Sequence, residues 1–381
     1  MNRRPGRAGS ALAGLALAGV ALAGRALLAA CGSPPATVRS PAPPPALTAP
    51  LSTSLVTGQG TWAVTVMGGA AGTGEGFWQL FVRPAGASRW SLVTPPGVAD
   101  NGGLVAAGAG TSLVVGIRPS QNLVFSPLAT STDAGRDWAP GLLGAGLAGT
   151  PGAIAAGPSG RLLALLQDGT IEAAPDAAAA ASGQWAPLTT LRAVAASPPG
   201  RSCGLTGVTS VAFGPNENPM LAGACSRPGA VAVLTDADGT WRSAGLALPG
   251  RGPVRVLGLA AGGAVALLAA GNSVLAAWPD GARWTVSAPV AAGGVRAIGF
   301  GGGGSAWLLA GGVARTIGGA GQAWRVLPSV PAGTQVLAAG AGGSYQALAV
   351  DRARLTVWQL ASGTWVKAQQ VTVPVQYGSS G

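Results

Sequence analysis

Residues 254–287 read Val254-Arg-Val-Leu-Gly-Leu-Ala260, then Ala264-Val-Ala-Leu-Leu-Ala-Ala270, Ser273-Val-Leu-Ala-Ala-Trp278 and Arg283-Trp-Thr-Val-Ser287. Gly-rich or Pro-Asp-Gly punctuation separates these four short apolar runs, which is the pattern of strands joined by turns. The quartet recurs directly downstream as Val295-Arg-Ala-Ile-Gly-Phe300, Ser305-Ala-Trp-Leu-Leu-Ala310, Val313-Ala-Arg-Thr-Ile317 and Ala323-Trp-Arg-Val-Leu327. A third copy follows with Thr334-Gln-Val-Leu-Ala-Ala339, Tyr345-Gln-Ala-Leu-Ala-Val350, Leu355-Thr-Val-Trp-Gln-Leu360 and Thr364-Trp-Val-Lys-Ala368.

Tryptophan marks the same period along the rest of the chain. Trp90, Trp138, Trp185, Trp241, Trp284, Trp324 and Trp365 each follow a small, Gly-containing turn, at spacings of 40 to 56 residues. A four-stranded propeller blade takes about 40–50 residues. The expected fold is therefore all-β, a seven-bladed β-propeller over residues 51–381 with four antiparallel strands per blade. Six or eight blades are compatible with an irregular first unit. A pair of β-sandwiches fits the sustained period badly. Small residues in each first strand suit a crowded central channel, and Trp at the fourth can cap the outer edge.

Composition narrows the chemistry. The 381 residues include 64 Gly and 30 Pro, only 9% charged residues, and no His. Without imidazole, a Ser-His-Asp triad, a Cys-His pair and most catalytic zinc sites are excluded. Glu is confined to Glu75, Glu172 and Glu217, so paired-carboxylate chemistry would lean on Asp. GxGxxG occurs at residues 144–149 and 299–304, but a chain this rich in Gly produces such matches by chance. The nucleotide fingerprint also needs a strand, a helix and a later acid. No cofactor and no metal site is expected.

The first 50 residues read as an address and a spacer. Arg3, Arg4 and Arg7 precede an apolar run over residues 11–30 interrupted by Arg25, the layout of an export signal. Leu28-Ala29-Ala30-Cys31 resembles the lipobox of bacterial lipoproteins. That resemblance implies cleavage before Cys31, diacylglycerol on its sulfur and acylation of the new amino terminus. A transmembrane anchor, which needs about 20 apolar residues, and an ordinary signal peptide are the other readings. Residues 31–50 are Pro-rich and favour an extended tether, about 3 Å per residue. Loss of residues 1–30 leaves 19 basic and 12 acidic residues. The basic residues are scattered and nearly all Arg, with Lys367 the one Lys, so nucleic acid is not expected as a partner.

Ser131-Thr-Asp133-Ala-Gly135-Arg-Asp-Trp138 matches the Asp-box pattern S/T-x-D-x-G-x-x-W. It resembles that element of sialidase-like and related propellers, where it lies between third and fourth strands, away from the active site; the repeat as a whole resembles the Asp-box (BNR) and YVTN/WD40-like propellers. Asp can accept N–H groups of a tight turn, Gly permits positive φ, and Trp pins the turn to the sheet. Sialidases use an Arg triad, a Tyr nucleophile with a Glu partner, and an Asp acid. This chain has only Tyr345 and Tyr377, with no assignable Tyr–Glu pair, so it departs from the family where catalysis would reside. No catalytic residue is assigned.

Cys203 precedes the strand near residues 208–213 and Cys225 ends the next near 220–224, across the turn 214–219. Antiparallel pairing brings the start of one beside the end of the other, so a disulfide is expected. Aligning the first strands puts Thr209, Arg255, Arg296 and Gln335 at one position near the channel mouth. Arg227, Asp351, Arg352 and Glu75 fall in loops on the same side. Arg presents a fork of donors to carboxylate or phosphate. The expected function is a monomeric, lipid-anchored, extracytoplasmic propeller that binds or scaffolds an envelope protein or glycan. The alternative is a propeller-type glycoside hydrolase or lyase acting on polysaccharide. Transporter-type substrate-binding lipoproteins need two α/β lobes and do not fit.

Overall fold

The computed structural model describes residues 52–57, 60–67, 77–84, 86–93, 104–117, 128–141 and 152–243, and most of 245–372. Cys31, the Pro-rich stretch, the 144–149 glycines, Glu75, Arg352 and Tyr377 lie outside the described residues. The chain divides into a unit of residues Met1–Ala46 and a compact unit Leu47–Gly381.

Among the described residues, the ladders trace seven four-stranded antiparallel meanders. Meander I is β1 (Ser52–Thr57), β2 (Gly60–Met67), β3 (Phe77–Pro84) and β4 (Ser91–Leu92). Meander II is β5 (Leu104–Ala109), β6 (Ser112–Ile117), β7 (Leu128–Ser131) and β8 (Ala139–Gly141). Meander III is β9 (Ala153–Ala156), β10 (Leu162–Leu165), β11 (Thr170–Ala174) and β12 (Ala186–Thr190), with helix α1 (Ala177–Ala181) before β12. Helices α2 (Leu191–Ala196) and α3 (Pro198–Cys203) lead into meander IV. Its strands are β13 (Leu205–Phe213), β14 (Pro219–Cys225), β15 (Val231–Ala237) and β16 (Thr240–Ser243). Meander V is β17 (Val254–Leu259), β18 (Ala266–Ala270), β19 (Ser273–Asp280) and β20 (Arg283–Val286), with β21 (Val290–Ala291) also on β19. Meander VI is β22 (Val295–Phe300), β23 (Ala306–Ala310), β24 (Val313–Ile317) and β25 (Arg325–Val326). Meander VII is β26 (Thr334–Ala339), β27 (Tyr345–Asp351), β28 (Arg354–Ala361) and β29 (Thr364–Thr372).

First strands touch one another in chain order, and β26 of the last meander touches β1 of the first, so they close into a ring. In addition β1 runs parallel to β22, with Ser52 opposite Ala297, Thr53 opposite Ile298 and Ser54 opposite Gly299. This ladder joins meanders I and VI into one eight-stranded sheet. Small residues permit the crowding. A Cβ on Gly258 would come within 2.8 Å of Ile298 Cδ1 in the next meander.

The core lies in layers between meanders rather than at one centre. In β23, Ala306, Leu308 and Ala310 pack toward meander V, while Trp307 and Leu309 pack toward meander VII. Both faces are covered, so β18 and β23 are buried at every position and read as continuous apolar runs. All seven turn-following Trp stand at or just before the fourth strand. The indole N–H of Trp324 donates to Ser287 Oγ at 3.2 Å, and that of Trp365 to the Pro328 carbonyl at 3.1 Å. Each reaches back to the preceding meander. Trp90 does the same across the ring closure, donating to Gln346 Oε1 of meander VII at 2.7 Å.

The three short helices were not expected from the strand period, although their caps are written in the chain. Asp176 accepts from the Ala179 N–H, Thr190 from Ala193 and Ser197 from Gly200. Pro198 opens α3 and Gly204, at φ +68°, closes it. The 299–304 glycines form the end of β22 and the turn into β23, where the Gly301 N–H donates to the Ser305 carbonyl at 2.9 Å.

Candidate functional site

Antiparallel pairing gives every meander two kinds of end. Connections into the first strand and turns between second and third strands share one end, called A. Turns between first and second and between third and fourth strands share the other, called B. Contacts between meanders keep like ends together: Ser159 and Glu217, on the first-to-second turns of III and IV, meet at end B.

Thr209, Arg255, Arg296 and Gln335 all lie on first strands, but the ladder separates them. In β13 the pairing passes from Val208–Gly223 to Ser210–Ala222 and skips Thr209. In β22 it passes from Val295–Ala310 to Ala297–Leu309 and skips Arg296. In β26 it passes from Thr334–Ala349 to Val336–Leu348 and skips Gln335. These three are bulge residues, and a bulge re-aims its side chain. In β17 the skipped residue is Leu257, whereas Arg255 sits in a regular pair with Ala269. The sequence alignment of Arg255 with the others counts from the strand start; the bulge falls two residues later.

Two of the bulge side chains reach the next meander. Thr209 Oγ1 donates to the Val256 carbonyl at 3.3 Å, and Arg296 Nη1 donates to the Thr334 carbonyl at 3.4 Å. In both cases the acceptor is the residue just before the neighbour's own bulge. Arg255 and Arg296 remain exposed, and Gln335 is half-buried.

Cys203 and Cys225 form a disulfide, with Cα atoms 5.4 Å apart. It ties the end of α3 to the last residue of β14, and in the loop that follows the Ser226 N–H donates to the Gly204 carbonyl at 2.8 Å. Arg227 is exposed on that loop, and Asp351 pairs along the ladder with Arg354. All of these lie at end A.

End B holds the 131–138 turn, between the third and fourth strands of meander II. Ser131 Oγ donates to Asp133 Oδ1 at 2.8 Å and accepts from the Gly135 N–H at 2.8 Å. Asp133 accepts from the N–H groups of Asp137 and Arg136, both at 3.0 Å. The Asp137 N–H first, then the Ser131 hydroxyl, hold the Asp133 carboxyl below its ordinary range. Gly135 sits at φ +84°, and a Cβ there would lie 2.8 Å from Val93 Cβ of meander I. The turn therefore requires Gly both for its backbone and for close approach.

Glu217 occupies a positive φ of 57° and receives both the hydroxyl and the N–H of Ser159. The Ser159 hydroxyl, then its N–H, lower the Glu217 carboxyl from its usual value. Arg161 donates to the Glu217 carbonyl at 3.3 Å and lies over the Phe213 ring at 5.5 Å. Nothing in the spacing of Ser159 and Glu217 announces this contact, because it joins two different meanders. Tyr345 is likewise engaged with its neighbour, its hydroxyl bonded to Thr316 Oγ1 of meander VI. The acids of end B are Asp133, Asp137, Asp176, Glu217, Asp236, Asp238 and Asp280. Among the described residues they are equalled in number by Arg83, Arg89, Arg136, Arg161, Arg242, Arg283 and Arg325, while Lys367 and Arg315 lie along β29 and β24 between the ends.

Among the described residues, no group of three or more His, Cys, Asp or Glu side chains could hold a metal, and no helix is long and apolar enough to cross a membrane.

No protein-family model matches the chain, and no curated sequence matches it. Among solved structures it is similar to a protein from Lactobacillus plantarum, at 13% identity over 83% of this chain and 97% of that one, with a TM-score of 0.51. It is also similar to a Bacteroides uniformis protein provisionally called a 6-phosphogluconolactonase, at 11% identity over 82% and 97%, TM-score 0.50. YCF48 from Cyanidioschyzon merolae aligns at 17% identity over 85% and 96%, TM-score 0.46. At such identities the likeness concerns fold alone, and the fold is an all-β propeller of four-stranded antiparallel sheets.

Proposed function

We propose that this chain is a lipid-anchored, extracytoplasmic β-propeller, one blade per meander, that binds or scaffolds an envelope protein or polymer. The Cys203–Cys225 disulfide carries the reading of location, because such bonds persist in oxidising compartments outside the cytosol. It accords with the export signal and with the lipobox resemblance at Cys31. The Asp-box resemblance of residues 131–138 is supported by the Ser131, Asp133 and Gly135 hydrogen bonds, which give the turn a structural role. Arg255, Arg296, Gln335 and Thr209 at end A are the proposed contacts for an acidic group, carboxylate or phosphate.

Two experiments test this reading. Palmitate labelling of the whole chain, with Cys31→Ser as control, is expected to label only the natural chain; no label in either removes the anchor. Immobilised residues 47–381 exposed to envelope extract are expected to retain one protein or polymer stoichiometrically. Loss of retention in the Arg255→Ala, Arg296→Ala double variant assigns the contact to end A, and survival moves it elsewhere. Shortened sugar in the eluate would favour the hydrolase or lyase instead.

A further inference from the structure

The two ends of the ring differ in charge. End A presents Arg192, Arg201, Arg227, Arg255, Arg296 and Arg354, all exposed. Among the described residues, three acids stand against them. Asp168 is exposed but has Oδ1 engaged by the Thr170 N–H at 2.8 Å, Glu172 is buried, and Asp351 is the ladder partner of Arg354 itself. The acids and arginines of end B balance, as set out above. Apart from Arg315 and Lys367, which lie along their strands, the excess positive charge of the described ring therefore sits at end A.

A second observation concerns where the chain comes in. Each first strand starts at end A, and β1 is no exception, since it runs parallel to β22. Ser52, the first residue of β1, thus begins at the end that carries the excess charge. Ser52 is the described residue nearest in the chain to Cys31, so a tether preceding it would attach at this end. A Pro-rich tether of residues 31–50, if extended at about 3 Å per residue, would reach roughly 60 Å, enough for the ring to turn this end toward whatever surface holds Cys31. The arginines are distributed over meanders III to VII, a broad face rather than one pocket. Separate guanidinium groups spread over such a face suit an array of phosphates better than a single small anion.

We infer that end A docks flat on an anionic phospholipid surface, its arginines against the headgroup phosphates. This rests on the anchored reading above and deepens it by naming the acidic group that Arg255 and Arg296 meet. The anchor concentrates headgroups at the face to which the chain is attached. Docking in this way leaves end B, with the 131–138 turn and the Ser159–Glu217 contact, facing away from the bilayer.

The test uses residues 47–381, which contain every meander, the closed ring and the whole described core, so that no acyl chain or apolar leader contributes. Binding is measured by sedimentation with vesicles of phosphatidylglycerol mixed with phosphatidylcholine, and with vesicles of phosphatidylcholine alone, at low and high salt. The protein is expected to sediment with the anionic vesicles only and to be released by salt. Each cation near such a surface contributes about fivefold to partitioning. The Arg192→Gln, Arg227→Gln, Arg255→Gln variant is therefore expected to lose more than tenfold. A control removing equal charge from end B, Arg136→Gln, Arg242→Gln, Arg283→Gln, is expected to lose less than twofold, with unfolding midpoints confirming that both variants are folded. Equal losses in the two variants, sedimentation with neutral vesicles, or retention by an anionic polysaccharide without vesicle binding would each overturn the inference. An unlabelled Cys31 would end the anchored reading without altering the vesicle result, so the two failures are distinguishable.

Discussion

Thr209 Oγ1 donates to the Val256 carbonyl oxygen at 3.3 Å, so the bulge of one inner strand is bonded to the residue preceding the bulge of the next. Arg296 repeats the relationship two meanders on, with the Thr334 carbonyl. Thr209→Val keeps the shape and removes the donor, and it is expected to lower unfolding free energy by about 1 kcal/mol. Arg255→Ala, at an exposed regular ladder position, is expected to change stability by no more than about 0.5 kcal/mol. Urea unfolding of the two variants separates residues that the sequence placed side by side.

The Cys203–Cys225 bond spans a sequence separation of 22. Closing a loop of that length constrains the unfolded chain by roughly 3 kcal/mol. The Cys203→Ser, Cys225→Ser variant is expected to lose about that much in urea. Reductant should lower the natural protein to the same midpoint and leave the variant where it is. A variant still sensitive to reductant would contradict this account.

Asp133 makes stability depend on pH. Its carboxyl is held below the ordinary value in the folded state by the Asp137 N–H and the Ser131 hydroxyl. A lowered folded pKa means that the unfolded chain binds the proton more readily. The stabilisation is thus complete above the unfolded carboxyl pKa and disappears as pH falls through the folded one. Asp133→Asn is expected to melt lower than the natural protein at neutral pH, with the gap narrowing in acid. Melting curves across that range check the sign.

The ring closes at Trp90. Its indole N–H donates to Gln346 Oε1 at 2.7 Å, and Gln369 receives the Trp90 N–H and donates to its carbonyl, both at 2.8 Å. Gln346→Leu would leave a buried donor without an acceptor, a cost of about 1–3 kcal/mol. Hydrogen exchange at the Trp90 amide should accelerate in Gln369→Ala, which removes its acceptor. Unchanged exchange there would mean that the closure is held elsewhere.

Much of the architecture was legible because it is local and repeated. Val295–Phe300, Val313–Ile317 and Thr334–Ala339 fall where the apolar runs and glycine turns place them. The disulfide followed from hairpin pairing alone. Two features escaped. The helices α1 to α3 interrupt the strand period on five or six residues each, below the length at which a helical pattern stands out. The bulges are invisible in a string of residues, because a skipped ladder position leaves no mark on composition.

The candidate site shows the same division. Local pattern placed Thr209, Arg255, Arg296 and Gln335 on inner strands, and the Ser131–Trp138 turn between third and fourth strands. The chain by itself thus determined four-stranded units, their turns, the Cys203–Cys225 bond and a surplus of arginine, all of which depend on neighbours in sequence or across one hairpin. Only the tertiary structure decided that Arg255 lies outside the bulges, that Ser159 meets Glu217, that β1 runs beside β22, and that the positive charge collects at the end where β1 begins. The first is set by a register shift within one hairpin; the others join different meanders, and hydrophobic packing between their faces, rather than any local propensity, brings them together.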